Sequence, residues 1–413
     1  MTRVVIIGAG QAGGETAQRL RQGGFEGAIV LIGEEPMPPY QRPPLSKAYL
    51  LGDLSIDRLL LRPAEKYADE RIEFLPSARV VAVDRTTKSV RLDGGRALDY
   101  DALVIATGAT PRRLTLPGAA LNGVHVLRTA ADVDAMRAAF RPGASLVVIG
   151  AGYIGLEAAA VARKRGLNVT VIEAADRPLA RVTSPEMSAF FLAEHQRQGV
   201  RFLLGATPER LIGEGKVEAV VLASGEKIAA DIVIAGIGVT PNTALAEACA
   251  LQVDNCIVTD AQCRTSDPDI FAIGDCAARP IAHFDRTCRL ESVHNAVEGA
   301  KIVAAALLGQ QAAVETPWFW SDQYDLKLQI AGLFQGYDQI VMRGDPSERT
   351  FACFYYKGGR IIAVDAVNKP AEFLGAKMLI QTGRTIAPDL IRDTAQPMKE
   401  LVAAAAPAGP QRT

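Results

Sequence analysis

The sequence predicts an α/β fold: two parallel-sheet units of one design, followed by a smaller α+β unit built on an antiparallel sheet. Three observations carry this expectation. A strand, glycine turn and helix pattern occurs twice, at residues 4–13 and 146–155. Two further apolar runs that end in glycine, residues 103–108 and 232–238, echo each other in the two halves. Beyond about residue 318 the pattern changes to short aromatic-rich runs separated by glycine turns. The chain has 413 residues, more than one core holds, so two or three domains are expected.

The first copy reads Val4-Val5-Ile6-Ile7-Gly8-Ala9-Gly10-Gln11-Ala12-Gly13 and the second Leu146-Val147-Val148-Ile149-Gly150-Ala151-Gly152-Tyr153-Ile154-Gly155. Each apolar run suits a parallel strand buried on both faces. An amphipathic helix is expected after each turn, over residues 15–21 and 156–165. A second strand follows at residues 28–32 and 168–172, and each is read as ending in an acid, Glu34 and Glu173. The chemistry is that of a Rossmann-type dinucleotide site. Gly8 and Gly150 allow the tight turn, Gly10 and Gly152 let backbone approach a diphosphate, and Gly13 and Gly155 let helix and strand pack closely. The diphosphate sits on the helix N-terminus, where unpaired N–H groups and the dipole favour an anion. The acid accepts from ribose hydroxyls. One such motif is a weak signal; two, each with strand, helix and spaced acid, predict two bound dinucleotides.

The run Thr265-Ser266-Asp267-Pro268-Asp269-Ile270-Phe271-Ala272-Ile273-Gly274-Asp275 reads as a turn, a buried strand and a Gly-Asp step. An aspartate at the C-terminal edge of a parallel strand points into the ligand crevice. In the last part, strands are expected at residues 327–333, 339–343, 350–356 and 360–367, with a helix over 372–382. The Ala- and Pro-rich tail, residues 403–413, is expected to fray.

The net charge is −1, which supplies no global attraction to nucleic acid or to an anionic membrane. No apolar run reaches the roughly 18–20 residues of a membrane span. A strand-like run opens the sequence, so no signal peptide is expected and a cytoplasmic location follows. The cysteines, Cys249, Cys256, Cys263, Cys276, Cys288 and Cys353, include no CxxC pair. They are read as small apolar residues, and no metal or iron–sulfur centre is expected. The four histidines, His125, His195, His283 and His294, are given no catalytic role.

Four segments carry a family resemblance: Arg42-Pro43-Pro44-Leu45-Ser46-Lys47, residues 149–157, residues 265–276, and Trp318-Phe319-Trp320-Ser321-Asp322-Gln323. On these the chain resembles, over essentially its whole length, the FAD-dependent NADH:ferredoxin reductases of the putidaredoxin reductase type. These include rubredoxin reductases and the reductases of ring dioxygenases. The resemblance implies a glutathione-reductase-like layout: a discontinuous FAD domain (1–112 and 248–320), an inserted NADH domain (113–247), and a C-terminal interface domain (321–413). The C-terminal sheet would lie against the flavin and help dock the partner. It also implies contacts. Ala12, Gly13, Glu34, Arg42, Lys47, Val80, Thr107, Gly108, Arg128, Asp275, Val293 and Trp320 would meet FAD, with Lys47 near the flavin N5. Ile154, Gly155, Glu157, Glu173 and Gly238 would meet NADH. Lys47, Glu157 and Trp320 would serve the chemistry, with Glu157 pairing to Lys47. FAD suits this task because it takes a hydride and returns electrons one at a time. The implied acceptor is a two-iron ferredoxin or a rubredoxin, serving an oxygenase. Lys301, Lys327, Arg343 and Arg360 are candidate docking cations.

Other functions compete. A dithiol reductase needs a cysteine pair on the loop at residues 40–47, and the first cysteine of the chain is Cys249. An NADH oxidase, or another flavin-dependent NADH dehydrogenase of this fold, remains the alternative. A nucleic-acid-binding flavoprotein like the apoptosis-inducing factor would want basic runs, and none is present.

Overall fold

The computed structural model describes residues 2–281 and 284–407. His283 and the tail beyond residue 407 lie outside them. The chain divides into two compact units. The first comprises Met1–Gln41, Asp57–Thr110 and Thr240–Phe319; the second comprises Arg42–Ile56, Pro111–Val239 and Trp320–Thr413.

The first unit is built on five parallel strands, in the order Ile270–Ala272, Ala102–Ile105, Arg3–Ile7, Ala28–Ile32 and Ile72–Leu75. The side-chain period of two splits the central strand between two cores. Val4 and Ile6 join Ala17 and Leu20 of the helix Gln11–Gln22 and Ala300 and Val303 of the helix Val293–Leu307. Val5 and Ile7 join the opposite core, with Val80, Val90, Leu98, Ala246 and Leu251. Burial on both faces is why this strand is uninterrupted in its apolar character.

The second unit repeats the design. Its parallel sheet runs Arg201–Leu204, Asn168–Glu173, Ser145–Ile149, Ile232–Ala235 and Val124–His125. Each unit also carries a three-stranded antiparallel ribbon. In the first it is Val80–Asp84, Ser89–Leu92 and Ala97–Asp99; in the second, Pro208–Ile212, Ala219–Leu222 and Lys227–Ala229. The fifth parallel strand comes from downstream in the first unit and from upstream in the second.

The C-terminal sheet has the order Trp318–Gln323, Leu326–Gly332, Arg360–Val367, Phe351–Lys357, Gln339–Arg343, and the three pairings from Leu326–Gly332 to Gln339–Arg343 are antiparallel. The helix Pro370–Thr382 packs on this sheet. Strands 339–343 and 360–367 lie where the sequence predicts them.

Two expectations are corrected. The helices that follow the glycine turns start earlier than residues 15 and 156, at Gln11 and Tyr153. Their first turns contain glycine and present backbone, so apolar periodicity cannot register them. The tail is not frayed from residue 403. A helix spans Met398–Ala404, and Ala406–Pro407 pairs with Arg384–Thr385. Buried Leu401 and Val402 and the bond from Arg384 Nε to the Ala405 carbonyl at 2.8 Å hold it.

Candidate functional site

The two glycine turns have matching geometry. Gly8 and Gly150 have φ of +110° and +101°, and a Cβ there would lie 2.2 Å from the Ala106 carbonyl oxygen and 2.4 Å from that of Gly236. A Cβ on Gly13 or Gly155 would lie 2.0 or 2.3 Å from the oxygen of Gly8 or Gly150. These four positions must be glycine for the protein to close on itself. Gly10 and Gly152 are different: a Cβ on either meets nothing within 4 Å. Their backbone angles, φ −92° and −79°, suit any residue. The fold therefore does not require glycine there, but a diphosphate drawn up to the helix N-terminus does. Ile154 follows in the second turn with 44 % of its surface exposed, an apolar side chain turned outward beside that N-terminus. The residues fit two dinucleotides, one per unit.

Of the other first-unit candidates, Thr107 and Asp275 adjoin the first turn. Gly274, with φ +75°, sits so that an added Cβ would lie 3.3 Å from Ala12 Cβ, which brings the half-buried Asp275 beside the helix start. Val293 opens the helix Val293–Leu307, whose Ser292 cap accepts from Asn295 N–H at 3.0 Å. Thr107 Oγ1 donates to the Asn242 carbonyl, and Asn242 Nδ2 to the Thr107 carbonyl, each at 2.8 Å. Asn242 N–H donates to the Gly108 carbonyl at 3.0 Å. Val80 begins the antiparallel ribbon and is buried.

In the second unit, Arg42 Nη1 donates to the Arg128 carbonyl at 2.7 Å, so these two candidates adjoin. Lys47 Nζ lies 2.6 Å from Glu157 Oε2, the pair expected from the sequence. The Pro43 carbonyl also accepts from Lys47, at 3.2 Å. The lysine follows the short helix Pro43–Ser46, in which the two prolines fix the backbone. Gly238 has φ +94°, and its carbonyl accepts from Arg112 N–H at 3.0 Å. Trp320 is half-buried in the strand Trp318–Gln323.

The acids at the second strands are not equivalent, which corrects the reading that both close a strand. Gly8 N–H donates to the Ile32 carbonyl at 2.9 Å, and Gly150 N–H to that of Ile172 at 2.8 Å. Glu173 therefore matches Gly33 and belongs to its strand, whereas Glu34 stands one residue further on. Loop spacing tolerates a shift that hydrogen-bond register does not. Glu173 accepts from Ala151 N–H at 2.7 Å and Ala175 N–H at 2.9 Å. Glu34 is about 70 % exposed and lies 3.4 Å from Arg79 Nε.

Two docking candidates are also corrected. Arg343 is buried, bonded to Glu372 at 3.2 Å and to the carbonyls of Ile391, Asp393 and Gln396. Lys301 lies 3.1 Å from Glu298 of its own helix. A one-dimensional pattern counts cations without seeing their partners. Lys327 is exposed and Arg360 half-buried. The cysteines are free thiols, four of them buried; burial pushes the Cys263 thiol up to about 12. Among the described residues no group of three or more His, Cys, Asp or Glu could hold a metal ion, and no helix is long and apolar enough to cross a membrane.

Sequence reasoning missed the polar residues behind the Lys47–Glu157 pair. Ser46 Oγ donates to Glu157 Oε2 at 2.5 Å and Ser321 Oγ to Glu157 Oε1 at 2.7 Å. Glu157 is 4 % exposed, so these bonds replace its water. The signal was the alternation in Trp320-Ser321-Asp322-Gln323: a strand turns Ser321 and Gln323 to one face and Trp320 and Asp322 to the other.

Residues 2–300 match the family model of pyridine nucleotide-disulphide oxidoreductases, and residues 318–402 match the reductase C-terminal model. The chain is 47 % identical over 402 residues to rhodocoxin reductase of Rhodococcus erythropolis, covering 97 % of this chain and 94 % of that protein. It is 45 % identical over 409 residues to putidaredoxin reductase of Pseudomonas putida, covering 97 % of each. The solved covalent complex of putidaredoxin reductase with putidaredoxin superposes with a TM-score of 0.96, at 44 % identity over 98 % of this chain and 99 % of that one. With both glycine turns, the C-terminal sheet and these full-length similarities in place, the chain belongs to the pyridine nucleotide-disulphide oxidoreductases and, within them, to the FAD-dependent NADH:ferredoxin reductases of the putidaredoxin and rubredoxin reductase type.

Proposed function

We propose that this protein transfers electrons from NADH, through FAD, to a two-iron ferredoxin that serves an oxygenase in the cytoplasm. Residues 1–112 and 248–320 hold FAD, residues 113–247 hold NADH, and residues 321–413 face the partner. The observation that carries this reading is the pair of glycine turns whose second glycines face open space. FAD supplies the conversion from a hydride to single electrons.

The remaining chemistry belongs to the chain. The N-terminus of Gln11–Gln22 takes the FAD diphosphate, with Gly8, Gly10, Ala12 and Gly13 giving room and Asp275 beside it. Arg42, Val80, Thr107, Gly108, Arg128, Val293 and Trp320 line the cofactor, and Glu34 takes its ribose. The N-terminus of Tyr153–Lys164 takes the NADH diphosphate, with Ile154 and Gly155 beneath it, Glu173 on the ribose and Gly238 on the crossing turn. Lys47 places a cation beside the flavin, where negative charge grows on reduction. Glu157 anchors that cation across 2.6 Å.

The test is anaerobic NADH titration of the purified flavoprotein, then cytochrome c reduction with and without a two-iron ferredoxin or a rubredoxin. Flavin bleaching by NADH and cytochrome c reduction that depends on the ferredoxin are expected. A rubredoxin as the sole effective carrier would change the partner. Rapid NADH-driven oxygen consumption with no gain from either carrier would instead support an oxidase.

A further inference from the structure

The Glu157 carboxylate fixes the direction of a hydrogen-bond chain that runs inward from it. An ionised carboxylate only accepts, so Ser321 must donate to Glu157 Oε1 across 2.7 Å. The Ser321 oxygen has then used its one proton and accepts from Gln323, 3.2 Å away. That places the Gln323 amide nitrogen toward Ser321 and its Oε1 toward His195. Oε1 lies 2.7 Å from His195 Nε2, so the ring proton is on Nε2. His195 Nδ1 is bare and accepts from the Tyr324 hydroxyl at 3.0 Å. One carboxylate thereby determines both an amide orientation and a histidine tautomer.

The surroundings agree. Ser321, Gln323 and His195 are 0, 1 and 0 % exposed, so a wrongly oriented donor would be left buried and unmet, at a real cost. Burial pushes His195 down to about 4, which keeps the ring neutral, as a bare Nδ1 requires. The amide in the middle conducts no proton, since passing one on would leave it as an imidic acid. The chain orients. Each bond polarises the next, and all of them point donor-first toward Glu157.

We propose that Tyr324, His195, Gln323 and Ser321 are positioning residues for the hydride step, a one-way chain that grips Glu157 Oε1 so that Oε2 stays on Lys47 and Ser46. This rests on the reading that Lys47 and Glu157 border the flavin and the nicotinamide. It gives a task to His195, a histidine to which the sequence assigned no catalytic role.

Histidine-selective 15N NMR of the FAD-loaded protein tests the chain directly, because only four histidines contribute. His195, assigned by its loss in His195→Phe, is expected as the neutral Nε2–H tautomer from about pH 8 down to about pH 5.5. Ser321→Ala should slow flavin reduction by NADH about tenfold in anaerobic stopped-flow, with FAD content retained and NADH affinity within about twofold. Ser321→Thr, which keeps the hydroxyl, should restore the rate. Gln323→Met should slow reduction similarly without touching Glu157. An Nδ1–H tautomer, or a protonated His195 at neutral pH, overturns the chain. So does flavin reduction at the parent rate in both Ser321→Ala and Gln323→Met. Failure of the underlying reading looks different: Glu157→Gln would itself reduce at the parent rate while His195 kept its Nε2–H form, and the positioning role would fall with it.

Discussion

Replacing Gly152 by alanine separates what the fold needs from what the ligand needs. Gly152 caps the helix Tyr153–Lys164 at φ −79°, ψ 177°, which alanine adopts freely, and its added Cβ meets no atom within 4 Å. Stability without NADH should therefore hold within about 1 kcal/mol, the stiffer unfolded chain offsetting alanine's poorer fit at a helix N-cap. The methyl instead enters the space through which a diphosphate approaches the helix N-terminus. Losing one or two hydrogen bonds to a charged group, at about 1.5 kcal/mol each, raises KM for NADH roughly ten- to hundredfold. Gly155→Ala is the contrast. Its Cβ would stand 2.3 Å from the Gly150 oxygen and 3.1 Å from Val148 Cγ1, so overpacking should cost about 1–3 kcal/mol or more. The assays are the melting temperature of the FAD-loaded protein and KM for NADH with ferricyanide as acceptor. Gly152→Ala with an unchanged KM, or with a melting point several degrees lower, would refute the reasoning.

NADH should be preferred over NADPH by more than about tenfold in kcat/KM, because Glu173, proposed to take the ribose, would repel a 2′-phosphate and Arg177 is already committed to the carbonyls of Ala180, Thr183 and Ser184; Glu173→Ala should narrow the ratio, and a native preference for NADPH would contradict this. Lys47→Ala should retain FAD yet slow its reduction, measured by anaerobic stopped-flow; an unchanged rate and flavin potential would leave Lys47 a loop residue. Ferredoxin-dependent turnover should fall with salt while ferricyanide turnover stays flat; equal flatness for both would point to apolar docking. Asp365 is buried and accepts from Thr183 and Tyr355, and burial pushes it up to about 6. Its folded-state value is raised, so the wild type loses stability as pH rises from about 4 to about 6, and Asp365→Asn should gain on it by roughly 3 kcal/mol across that window. Urea melts at several pH values check this, and a pH-independent difference would count against it.

What could be read from the sequence was whatever local chemistry repeats. The two glycine turns, the buried strands beside them, the strand–Gly-Asp step at residues 270–275 and the strands of the last sheet follow from periodicity and from glycine's special backbone, both short-range properties. The pairing of Lys47 with Glu157 was legible only through the resemblance, because residues so far apart have no local signature of proximity. The tertiary structure decided the rest. Strand register, set by backbone hydrogen bonds, moved Glu34 out of equivalence with Glu173. Burial converted Arg343 from a docking cation into an internal tie and held the tail to residue 407. The chain from Tyr324 through His195, Gln323 and Ser321 to Glu157 joins three stretches of sequence, and its direction depends on which groups are shut away from water. Periodicity tells which face of an element is buried; only packing tells which partner waits there.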